Sequence, residues 1–196
     1  MPRKGPFDFS SAMWRLCDDV TRRVPELEHI DMTRVAVSFA QTRTRALHGL
    51  QAKLTPMRFE NGALTTWRRG IEWTIQRVYL GDREMLYLLT FYLPRFLDQP
   101  FHEKLVTVFH ELYHIGPRFD GDLRRWEGRY HVHSHSQREY DRRMARLADA
   151  YLARRPPRSL YAFLQKNFRQ LRHEYGEVVG LRIPIPKLIP VRKART

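Results

Sequence analysis

The chain has 196 residues and a mass of 23.6 kDa, the size of one domain, and its 42% hydrophobic content is enough to close one core. With 35 Lys plus Arg against 21 Asp plus Glu, the net charge of +14 excludes an acidic, self-solvating chain and admits an anionic partner. The excess is uneven: 14 basic and 3 acidic residues follow Asp141, so a nearly neutral body carries a basic C-terminal quarter.

Phe9 to Val24 reads as an amphipathic helix, with Phe9, Met13, Leu16, Cys17 and Val20 at three- and four-residue steps, Ser10 or Ser11 as cap and Pro25 as stop. Arg34 to Phe39 is a β-branched strand candidate and Gly49 to Phe59 a second, followed by a turn at Asn61–Gly62. Trp73 to Tyr79 and Met85 to Leu93, joined through Gly81–Asp82, read as a hairpin; the second strand is apolar on both faces and belongs inside the sheet. Pro100 to Ile115 is the clearest helix, with Phe101, Leu105, Val108, Leu112 and Ile115 on one stripe. A loop from Arg118 to His135 leads to a helix opened by the capping box Ser136-x-x-Glu139, with Tyr140, Met144, Leu147 and Tyr151 on its apolar face. Arg154 to Pro157 closes it, a shorter helix runs from Leu160 to about Tyr175, and the proline-containing end is an extended arm or edge strand. The expected organisation is a single α+β domain over residues 1–180, with three or four strands in an antiparallel or mixed sheet, and a basic arm over 181–196. Cys17 is the one cysteine, so no internal disulfide is possible. The N-terminus has no signal-peptide core, and the apolar run at 85–93 is far below the roughly 20 residues that span a bilayer. A cytoplasmic protein with no membrane contact is expected.

The polar face of the helix from Pro100 to Ile115 holds Glu103, Thr107, His110 and His114. His110 and His114 are one turn apart, so both imidazoles can address one cation. With Glu111 they form His-Glu-Leu-Tyr-His, the HExxH pattern of zinc peptidases: zinc takes neutral imidazole nitrogens and keeps a position open for water, and the Glu takes that water's proton. A third ligand is required. The metzincin spacing would need Gly at 117 and His at 120, where this chain has Pro117 and Asp120, and Asp120-Gly-Asp122 reads as a turn. Downstream, His131, His133 and His135 share one side of an extended segment. His135, next to the expected N-cap Ser136, is the first choice and His133 the alternative, with Tyr130, His131 or Tyr140 left for orienting roles.

The runs HELYHI, RFDGDLRRWEGRYH and HSHSQREYDRRM resemble the phage metallopeptidase family and, more distantly, SprT-like zinc proteases. The resemblance covers about residues 100 to 150. It implies a small zincin-like fold of gluzincin type in which His110 and His114 bind Zn2+ and Glu111 is the base, acting on protein or peptide substrates. In the SprT-like pattern a third zinc histidine precedes a helix with an aromatic residue a few positions on, as His135 precedes Tyr140. The alternative reading is a nucleic-acid-binding protein with a structural or relict metal. It would use Arg142, Arg143, Arg146, Arg154, Arg155, Arg158, Arg169 and Arg172, with Tyr161 and Phe168 interleaved.

Overall fold

A computed structural model describes residues 5–42, 49–125 and 137–193. A two-residue strand β1 (Phe7–Asp8) enters helix α1 (Phe9–Arg23), followed by β2 (Val35–Gln41), β3 (Ala52–Pro56), β4 (Thr65–Arg68) and β5 (Ile71–Ile75). A short pair, β6 (Tyr79–Leu80) and β7 (Arg83–Glu84), precedes β8 (Tyr87–Leu93). The helices α2 (Phe101–Tyr113), α3 (Gln137–Ala153), α4 (Arg158–Tyr161) and α5 (Phe168–Tyr175) come next, then β9 (Val178–Val179) and β10 (Leu188–Lys193). The class is α+β, as expected, and none of the described helices is long and apolar enough to cross a membrane.

The predicted stripe of α1 is buried, with Phe9, Met13, Leu16, Cys17 and Val20 closed to solvent. Its cap is neither Ser10 nor Ser11. Asp8 sits extended before the helix and its carboxylate accepts the Ser11 amide at 2.9 Å, placing negative charge at the positive end of the dipole. Ser10 is diverted, its hydroxyl accepting the Leu181 N–H at 2.9 Å.

The central sheet has the order β2-β8-β3, with β2 parallel and β3 antiparallel to β8. A strand apolar on both faces needs cover above and below, and β8 obtains it. On one side Leu89, Phe91 and Leu93 meet α1 and Leu105, Val108 and Leu112 of α2; on the other Leu88 packs with Ala36, Met57 and Met85. The hairpin expected between Trp73–Tyr79 and Met85–Leu93 does not form. Gly81–Asp82 turns only the two-residue pair β6–β7, and β5 lies in a separate sheet of order β10-β5-β4. The buried face of β2 matches β8 over seven residues, whereas half-exposed β5 offers no comparable apolar surface.

One C-terminal expectation also changes. The single helix from Leu160 to Tyr175 is broken: α4 passes through a 3-10 turn at Ala162–Gln165, and Asn167 then starts α5 with a reciprocal capping box. The Asn167 side chain accepts the Gln170 amide and the Gln170 side chain accepts the Asn167 amide, both at 2.8 Å, a local alternative that outcompetes continuation of the helix. Beyond it, the end read as an extended arm or an edge strand takes the second form. Leu181 accepts the Phe39 N–H at 3.0 Å, and β10 is an edge strand on β5 with a bulge between Pro190 and Arg192. An edge is where a proline can sit in a sheet.

Candidate metal and catalytic site

Helix α2 begins after Pro100 and ends with His114 as its C-cap. Leu105, Val108 and Leu112 are closed to solvent beneath it, which turns His110 and His114 outward, half-buried, with ring centroids 4.7 Å apart. The face expected to be polar is more deeply set than the pattern suggests. Glu111 is only 9% exposed, and its Oε2 accepts the Leu54 N–H of β3 at 2.7 Å. Burial pushes the Glu111 carboxyl up to about 7, against the opposing pull of the Leu54 amide and the Lys53 charge. Oε2 is therefore held by backbone, and Oε1 has no hydrogen-bond donor among the described residues.

A third element closes on the imidazoles. Tyr140, on the first turns of α3, is 2% exposed; its ring centroid is 4.9 Å from that of His110 and 5.9 Å from that of His114, nearly parallel to the latter. The predicted face of α3 is the buried one, with Tyr140, Met144, Leu147 and Tyr151 all inside. Behind the site, the chain after His114 doubles back through an Ile115–Leu123 bridge, and Arg124 donates its N–H to the His114 carbonyl at 2.7 Å. Gly116 permits this return, because a Cβ there would lie 2.8 Å from the Asp122 carbonyl. The Tyr87 hydroxyl pins the loop by donating to the Asp122 carbonyl and accepting the Gly121 N–H. Asp120 is a turn residue, accepting the Asp122 N–H and pairing with Arg118.

Tyr130, His131, His133, His135 and the expected cap Ser136 lie outside the described residues. The segment that holds them starts after Arg125 and ends before Gln137. Among the described residues no group of three metal-ligating side chains converges. The donor chemistry of the two imidazoles fits zinc. A concavity of about 970 Å3, lined by Trp14, Met32, Val37, Met85 and Leu181, opens along β2, at the opposite edge of the central sheet from β3. It holds none of the predicted site residues.

Two residues here escaped the sequence reading. Tyr87 read only as strand interior. Lys104, on α2, is 2% exposed and donates from Nζ to the Leu164 and Lys166 carbonyls, both at 2.8 Å.

The raised Glu111 value has a stability consequence in metal-free protein. A carboxyl whose folded pKa is about 7, against 4.5 ordinarily, favours folding at low pH and loses that contribution as pH rises between the two values. Glu111→Gln removes the titration while its amide oxygen still accepts the Leu54 N–H. In chelator-treated samples the variant should match wild type near pH 4.5 and exceed it at pH 8 by about 3 kcal/mol. Denaturant unfolding at both pH values measures this, and a pH-independent difference would refute it.

No family model, no curated protein and no solved structure matches this chain.

Proposed function

We propose that the chain is a zinc-dependent peptidase with a zincin-like domain of gluzincin type, related to phage metallopeptidases and distantly to SprT-like proteases. The observation that carries the reading is Glu111: a buried carboxylate with one oxygen fixed by the Leu54 amide and the other without a donor among the described residues, beside two imidazoles one turn apart. The described chain on either side of residues 126–136 adds support: Arg124 lies on Tyr113, and Tyr140 lies on both imidazoles. His135, or in its place His133, would complete the ligand set with His110 and His114.

When bound, zinc supplies a Lewis acid that polarises the scissile carbonyl and acidifies water. Glu111 takes a proton from the attacking water at Oε1 and returns it to the departing amine. The Leu54 amide keeps the carboxylate from rotating away from the helix face between the two transfers. Tyr140 walls one side of the imidazoles against solvent. An extended peptide can lie along the outer edge of β3, where β3 has no sheet partner.

Several basic residues of the C-terminal quarter are engaged within the fold. Arg154 donates to the Arg23 carbonyl, Arg158 to Gln165 and Arg192 to Glu72. This favours the peptidase reading over nucleic-acid binding as the main task.

Metal analysis beside an unfolded-protein cleavage assay tests the proposal. Wild type should hold one zinc per chain and lose cleavage on chelation, and His110→Ala, His114→Ala and one of His133→Ala or His135→Ala should each lose the metal. Zinc content unaffected by His114→Ala would overturn it.

A further inference from the structure

Two arginines from different elements converge on one ring beside the candidate site. The Arg124 guanidinium carbon is 4.2 Å from the Tyr113 ring centroid and that of Arg143 is 4.8 Å, so the two cations are separated by no more than those distances together. Both are half-buried. Elsewhere arginines in carboxylate company pair with it: Arg22 with Asp18, Arg23 with Asp19, Arg58 with Glu84, Arg118 with Asp120, Arg125 with Asp122 and Arg192 with Glu72. Among the described residues neither Arg124 nor Arg143 has a carboxylate partner. Arg124 donates its Nε to the Tyr113 carbonyl at 2.8 Å, which fixes the fork in place, and among the described residues its Nη groups have no hydrogen-bond acceptor.

We propose that Arg124 and Arg143 form an anion-recognising subsite that seats a substrate carboxylate beside His110, Glu111 and His114. The inference rests on the peptidase reading and names what it selects. Two half-buried like charges on one ring repel each other, and an anion reached by both side chains relieves the repulsion while accepting charge-assisted hydrogen bonds from their forks. The location follows from the ring contacts. Tyr113 is 6.0 Å from Tyr140, which touches both imidazoles, so the cations stand a few residues' length of extended chain from the reacting bond. The ligand chemistry is a carboxylate, from an Asp or Glu side chain near the cleaved bond or from the free C-terminus of a short peptide.

The test reads binding, not turnover. Zinc-loaded Glu111→Gln protein is titrated calorimetrically with three pentapeptides acetylated at the N-terminus: Ala-Ala-Glu-Ala-Ala amide, its Gln counterpart as the amide, and the Gln peptide with a free C-terminal carboxylate. Tenfold or tighter binding of the Glu amide than of the Gln amide assigns the subsite to a side chain; the same gain for the free-acid peptide assigns it to a terminus. In either case the gain should fall toward onefold on adding Arg143→Gln or Arg124→Gln, and Arg143→Lys should keep part of it. Equal binding of all three peptides, no measurable binding of either acidic peptide at millimolar concentration, or a preference that survives both Gln variants overturns the proposal. The zinc and cleavage measurements stand apart from these outcomes, so a working peptidase with no acidic preference would defeat the subsite alone.

Discussion

Glu111→Gln should lower kcat/KM for peptide hydrolysis by about 10³-fold, some 4 kcal/mol of transition-state stabilisation, while the zinc content stays at the wild-type level. The substitution is nearly isosteric and keeps what the structure shows Glu111 doing for the fold, since an amide oxygen can accept the Leu54 N–H in place of Oε2. What it cannot do is receive a proton. Because His110 and His114 are untouched, a loss of both metal and activity would point to disturbed folding of α2, whereas a loss of activity alone isolates the proton transfer. Steady-state kinetics on a fluorogenic peptide with metal analysis of the same samples decides it. A variant retaining more than a tenth of wild-type kcat/KM would remove Glu111 from the mechanism.

The largest loss of stability is expected at Lys104, far from any reacting group. Its ammonium is enclosed, and burial lowers its pKa to about 8 against the pull of Asp98. It remains because it satisfies two carbonyls, Leu164 and Lys166, at the end of the 3-10 turn before α5. Lys104→Met fills similar space but strands both acceptors, at a cost of about 1–3 kcal/mol each, offset in part by the desolvation that a buried charge no longer suffers. A net loss of about 2–3 kcal/mol should lower Tm by roughly 5–10 °C for a chain of this length. Thermal unfolding followed by circular dichroism measures it, and a variant as stable as wild type would show that the carbonyls find other donors. Zinc content should be unchanged, because the two imidazoles lie further along the helix.

What could be read in advance depended on the range of the interaction. His110, Glu111 and His114 are set by helical spacing within five residues, and the apolar face of α3 by its own periodicity, so both were visible in the sequence. The depth of Glu111 was not, because its partner Leu54 is 57 positions away and belongs to a strand whose neighbours no local pattern specifies. The same distance problem misassigned β5: a Gly-Asp turn signals a reversal, yet partner choice follows matched apolar faces, and β2 outcompeted the nearer strand for β8. Lys104 was hidden for another reason, since lysine reads as surface and its burial is dictated by carbonyls sixty residues on. The break before α5 was legible in Asn167-x-x-Gln170 and lost beneath the longer helical pattern.

On the proposed mechanism, the bond from Leu54 to Glu111 would tie catalysis to strand alignment. Successive amides of a strand point to opposite edges, so Leu54 can reach outward only because Lys53 and Thr55 face β8, and Pro56, next on the outward side, has no N–H to substitute. A slip of β3 by one residue would turn the Leu54 amide inward and leave the carboxylate without its anchor. Deleting a single residue between Gln51 and Leu54 would thus disarm the base without touching the helix that carries it, which makes the pairing of an edge strand part of the proton-transfer machinery.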